Sequence, residues 1–482
     1  MWCDTAVAVV AHRQSRRVID RAGGAVLAPE VGDPSDAHAT LRFVHRRVLA
    51  TIGFAAASIG SAATARAQTP VNTASAAPSS TPSLREIDAR DGVVVPDGVQ
   101  SVLVLRSGEV LRARPDGNSA RRGAAARDAR LPALEAALGD GCTSHWVRVA
   151  NNAWICTEST RLVGDAPTTH LYPLTASNEL LPYEYGFAAY AGVRTYRRLD
   201  DADNDEWAEE LERGMAVAVD RSERHEGRTY VHTASGRWIA SSDLHWARAS
   251  AWSGATYEAT ESATDVAFVM RASFAWPSIE DAARGRGGRH EHTLAARSPV
   301  HVRETSTVRG REFVRVDEGW LPSRGLRRFE PTPPPADLGA TERWVDVDLR
   351  RQILVAYEGT HPVYTTLVSS GASAHPTGRG EFRVWVKLAT SDMSNADDDT
   401  LDTVTHIYSV ERVPWVMFFH DDQALHGAYW HDRFGTVHSH GCVNLAPRDA
   451  HWLFAWAPPA MPPGWEAVIP SEDDPGLRVR VR

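Results

Sequence analysis

No basic stripe, no bilayer-length apolar run and no cysteine-dense segment marks this chain of 482 residues. The net charge is -9, and without clustered Lys and Arg nucleic acid is not an expected partner. The apolar run from Val48 to Ala62 falls short of the roughly 20 residues that cross a bilayer. A transmembrane segment in the mature chain is therefore not expected. No Cys-x2-Cys or His-Glu-x-x-His spacing occurs, which argues against a zinc site of the usual form. What the chain does have is 28 Pro, 16 Trp and many short strand-like runs. Its length exceeds one core, so several small, mainly β domains are expected.

The N-terminal region reads as an export signal. His45-Arg46-Arg47 precede the apolar run, and Ala65-Arg66-Ala67 follow it as a small-x-small cleavage site. The expected division is a signal peptide with an N-terminal extension over 1–67, then a Pro/Ser/Ala/Thr linker over 68–94. The competing reading is a buried helix of a folded N-terminal domain. Export implies the cell envelope, periplasm or wall, where disulfides persist. It would remove Cys3. Cys142 and Cys156 flank "CTSHWVRVANNAWIC", where a hairpin would bring them into disulfide reach; the alternative is two separate buried thiols. Cys442 is then left unpaired, a candidate reactive thiol.

A repeat fills the middle of the chain. "HWVRVANNAWICTESTRLV", "TYVHTASGRWIASSDLHWA" and "EFVRVDEGWLPSRGLRRF" share one pattern. Each has an aromatic-Val-basic strand, a polar turn, then Trp followed by Ile or Leu. Trp154, Trp238 and Trp320 are 84 and 82 residues apart, a spacing that means repeated modules. The pattern resembles bacterial SH3-like small barrels over 95–165, 166–248 and 249–330. The resemblance implies wall contacts or spacing; the alternative is scaffold without a ligand. The Pro-rich stretch 331–340 reads as a stiff spacer.

The last unit, 341–482, alternates like a β-sheet domain: "WVDVDL", "QILVAY", "VYTTLVSSG", "GEFRVWVKL" and "VPWVMFF". One helix is expected over "APRDAHWLFAWA", with Pro447 in its first turn and Trp452, Leu453 and Trp456 on one face. Before it stands "HSHGCVNLAPRD". A thiol becomes a nucleophile when a base takes its proton. His426 and His440 are candidates for that base and for polarising the site. The Gly441 and Cys442 N–H groups are candidate oxyanion donors, and Gly441 allows the close turn this needs. A catalytic thiol here should label quickly near neutral pH. The other readings are a buried structural thiol or a metal ligand in a cluster with His420, His426, His431, His438, His440, His451, Asp421 and Asp432. His420 and His431 are expected at the surface beside acids, and His451 in packing. The acidic run 391–400 is expected as a solvated loop, since it lacks a calcium-loop pattern.

"HGAYWHDRFGTVHSHGCVN" resembles the catalytic region of the YkuD-type L,D-transpeptidases. The match is His426-Gly427, then Ser439-His440-Gly441-Cys442-Val443-Asn444, with Pro376-Thr377-Gly378 upstream. The short spacer between histidines and the longer "GRGEF" turn depart from the family pattern. The resemblance covers about 341–466. It implies Cys442 as nucleophile, His426 as general base with the Gly427 carbonyl orienting its ring, and His440 with Gly441 at the oxyanion site. Ser439, Asn444, Trp430, Tyr408 and Gly427 would line or shape the substrate cleft. It also implies acyl transfer between peptidoglycan stem peptides without a cofactor or metal, and acylation of Cys442 by carbapenem-type β-lactams. Alternatives are an L,D-carboxypeptidase, an enzyme anchoring proteins to peptidoglycan, or a non-catalytic wall-binding protein.

Overall fold

Each tryptophan of the repeat stands in the second strand of a short hairpin. Trp146–Ala150 pairs with Ala153–Cys156, Arg228–Thr233 with Trp238–Ala240, and Arg311–Val316 with Gly319–Pro322. A 3-10 turn follows each hairpin, at Thr157–Ser159, Ser241–Asp243 and Ser323–Gly325. A closing strand then pairs antiparallel with an earlier strand of its own module. These closures are Thr160–Val163 on Ser101–Val104, Leu244–Trp246 on Glu184–Ala188, and Leu326–Arg328 on Val266–Val269. The computed structural model describes residues 85–86, 93–172, 180–285, 292–394 and 408–482, all within one compact unit. The expected signal segment lies outside the described residues.

The second and third modules have apolar centres of their own. Val217, Val231 and Ile239 close one; Val269, Val314 and Leu321 close the other. The first module does not stand alone. Its Val102, Leu111 and Ile155 share a core with Val345, Met417, Leu453 and Trp465. Its strand Arg121–Ala125 also pairs with Trp465–Val468. Gly123 permits that approach, because a Cβ there would lie 2.1 Å from the Ala467 carbonyl oxygen. Cys142 and Cys156 form a disulfide with Cα atoms 5.7 Å apart, beside this module's hairpin.

Two expected linkers differ. The first was expected to run to 94, but Arg85–Glu86 pairs with Val93–Val94, and Val93 with Ala136. The Pro-rich stretch is no free spacer either. Pro335 is buried, Asp337 pairs with Arg478, and the Pro333 carbonyl accepts from Arg480. Arg478 and Arg480 belong to the strand Arg478–Val481, so the spacer is tied to the C-terminal domain by charge.

That domain is a pair of sheets. Arg343–Asp348, Ile353–Glu358 and His361–Leu367 form a meander, with Arg478–Val481 parallel to its first strand. The second sheet pairs Val386–Ser394, Ser409–His420 and Gln423–Gly427 antiparallel, and Val443–Leu445 joins it in parallel. Residues 391–394 of the expected acidic loop continue a strand; 395–400 lie outside the described residues. The helix forms over Pro447–Trp456. Its core face is Ala450, Leu453 and Phe454, each large apolar side chain contributing about 2 kcal/mol by burial. Trp452 and Trp456 are half-buried and stack along its flank, 5.4 Å apart, so they do not share Leu453's full burial.

Candidate active site

The site grows from one pair of strands. Gln423–Gly427 and Val443–Leu445 run parallel with Leu425 opposite Val443 and His426 opposite Asn444. Continued one step back, that register sets Ala424 beside Cys442. Side chains alternate along a strand, so Cys442 and Asn444 share a face with His426. Cys442 and His426 are thus diagonal neighbours, whose Cα atoms lie about 7–8 Å apart in sheets, within side-chain reach. The Trp430 ring lies 5.7 Å from that of His426. Trp430 and Cys442 both pack on Val386, Val413, Phe418 and Ala424.

The His426 ring is buried and its Nδ1 lies 3.1 Å from the Gly427 carbonyl oxygen. A carbonyl only accepts, so the ring proton sits on Nδ1 and Nε2 keeps a free lone pair. Burial lowers the pKa of His426 to about 4, and the ring stays a neutral base. Cys442 is half-buried. Burial pushes its thiol up to about 11, against a small opposing pull from the Ala424 backbone. Both groups therefore rest uncharged. Burial disfavours a preformed thiolate, so the proton moves as the sulfur attacks.

The turn before the cysteine is held from several sides. Gly441 has φ +121°, a backbone that disfavours any side chain. Its carbonyl accepts from Thr377 Oγ1 at 2.7 Å. Its N–H donates to Ser439 Oγ at 3.2 Å, so the expected oxyanion role of the Gly441 N–H is already taken by a protein acceptor. Ser439 and Gly427 are buried, and they hold the turn and the His426 ring. His440 is exposed, its ring 4.9 Å from His375 and 5.1 Å from Tyr408. Asn444 is buried with its amide 3.0 Å from His431 Nε2.

His431 departs from the surface role expected of it. It is half-buried and its pKa is lowered to about 3, first by burial and then by His438 and His426. His420 is half-buried against Phe382 at 4.4 Å, while His451 is exposed with its ring 4.9 Å from Trp415. Among the described residues, Cys442 and these histidines form no group of three ligand atoms within 4.8 Å of one another. Gln423 escaped the sequence reading. Its side chain accepts from Gly378 N–H at 2.8 Å and donates to the Pro376 carbonyl at 3.2 Å. It staples the Pro-Thr-Gly segment to the strand bearing His426. Only its place two positions from Leu425 hinted at this, and a lone Gln carries no pattern.

Residues 342–475 match the family model described as YkuD, L,D-transpeptidase catalytic domain. This segment is a YkuD-type L,D-transpeptidase catalytic domain. A comparison with curated proteins yields no match. Among solved structures, the chain is similar to an L,D-transpeptidase of Enterococcus faecium at 21% identity, covering 29% of this chain and 50% of that one, with a TM-score of 0.23. It is similar to one from Stackebrandtia nassauensis at 24% identity, covering 30% and 58%, TM-score 0.21. A third, from Mycobacterium smegmatis, is 14% identical and aligns over 55% of this chain and 99% of its own, TM-score 0.24. The chain thus spans about half the length of the first of these. No helix among the described residues is long and apolar enough to cross a membrane.

Proposed function

We propose that this chain is an exported peptidoglycan L,D-transpeptidase that works through a Cys442 acyl-enzyme. The observation that carries this reading is the His426 ring: its Nδ1 lies against the Gly427 carbonyl, which leaves Nε2 as the base, and its strand position shares a face with that of Cys442. His426 Nε2 takes the thiol proton as Cys442 Sγ attacks a stem-peptide carbonyl. The tetrahedral oxyanion collapses, the C–N bond breaks, and His426 returns the proton to the departing amine. A thioester remains. An amine of a second stem attacks it, His426 takes that amine's proton, and the sulfur leaves as thiolate and recovers the proton. Cross-link and free enzyme result. Water in place of the amine gives L,D-carboxypeptidase trimming by the same residues. His440, Tyr408 and Trp430 are proposed to border the cleft, and Asn444 to support it from below. The three tryptophan-anchored modules are proposed SH3-like barrels over 95–165, 166–248 and 249–330 that space or bind the wall.

The test is incubation with purified muropeptides followed by mass analysis. The expected product is a cross-linked dimer from the wild type and none from Cys442→Ala. Neither dimers nor trimmed stems from the wild type would contradict the reading.

A further inference from the structure

The turn between base and nucleophile is held by the third module. Arg297 meets the Asp432 carboxylate with both terminal nitrogens, Nη1 to Oδ1 at 2.7 Å and Nη2 to Oδ2 at 2.6 Å. Its Nη1 also donates to the Asp432 carbonyl at 3.1 Å. Such forked pairs fix geometry as well as charge. Ser250 Oγ donates to the same carboxylate at 2.5 Å. Trp252 Nε1 donates to the Arg297 carbonyl at 2.9 Å, and its ring stacks on Phe434. Arg327 donates to the Gly435 carbonyl. Arg297 itself has φ +66°, a conformation rare for a long side chain and kept only where surroundings enforce it.

His431 is the residue before Asp432. Its Nδ1 accepts from the Arg433 N–H at 3.2 Å, so its proton lies on Nε2. That donor faces the Asn444 amide at 3.0 Å and requires an oxygen there. Asn444 therefore turns its carbonyl to His431. Its other amide atom, placed as Oδ1, is buried and without a partner among the described residues; with the amide turned that position carries the NH2, on the strand face shared with His426.

We propose that Arg297 and Asp432 are positioning residues through which the third module sets the active site. The pair fixes the His431 turn, and His431 fixes the Asn444 amide with its NH2 toward the catalytic face. This rests on the transpeptidase reading above.

The test uses the full chain with muropeptide substrate. Arg297→Ala and the isosteric Asp432→Asn should lower kcat about tenfold, the scale of a small misplacement near reacting atoms, with KM changed far less. The exchange Arg297→Asp with Asp432→Arg should recover most of the loss. Nitrogen-15 NMR of His431 should show the Nε2–H tautomer in the wild type and a mixed tautomer in Asp432→Asn. Unchanged kcat in a folded Asp432→Asn, or an Nδ1–H tautomer in the wild type, would overturn the proposal. A wild type that converts no substrate would instead remove the transpeptidase reading, while the tautomer result would still judge the lock.

Discussion

In the proposed mechanism one proton passes between Cys442 and His426, and the surroundings of each decide which holds it at rest. Burial penalises both thiolate and imidazolium; the thiol's pKa stands near 11 and the imidazole's near 4. The signs give a definite pH dependence. His426 is deprotonated above about 4, so kcat/KM should fall only as pH drops through that value. The thiol stays protonated until about 11, so iodoacetamide labelling of the free enzyme should climb steadily from pH 7 to 10. A labelling plateau near neutrality would contradict a neutral resting pair. At this scale the cysteine, the two histidines and their glycines were legible in the sequence, because they lie within one short motif. Thr377, Gln423 and Arg297 were not, because each acts on that motif from a distant part of the chain and no local pattern marks it.

At the scale of elements, strand periodicity and the Pro447 start were readable, since alternation and first-turn proline have local causes. What satisfies the carbonyls at the end of the helix was not. Lys387, buried, reaches across from the second sheet and donates to the carbonyls of Phe454, Ala457 and Pro459 at 2.7, 2.6 and 2.8 Å. It satisfies acceptors that a helix C-terminus leaves over. Burial lowers its pKa to about 7, yet three donors to three carbonyls are what the site needs. Lys387→Met keeps the length and strands those carbonyls. Urea denaturation should show a loss of about 2–4 kcal/mol, the scale of buried groups left unpaired. A loss under about 0.5 kcal/mol would mean the carbonyls find other partners.

At the scale of the whole molecule, the three repeated hairpins could be read from tryptophan spacing, but the joins could not. The first module shares its core with the C-terminal domain, and Gly123 marks the seam. Gly123→Val should therefore lower the melting temperature of the C-terminal domain together with the first module, as one transition by calorimetry. Separate melting of the two would contradict a common core. Residues 249–330 contribute Arg297 and Arg327 to the turn before the cysteine, so that segment is joined to the catalytic domain by direct hydrogen bonds.

The central claim is that Cys442 forms an acyl thioester with the aid of His426. Intact-mass spectrometry of the full chain under saturating carbapenem tests it most directly. One covalent adduct, mapped to Cys442 and greatly slowed in His426→Ala, is the predicted result. An unshifted mass for the wild type, or an adduct on any other residue, would contradict it.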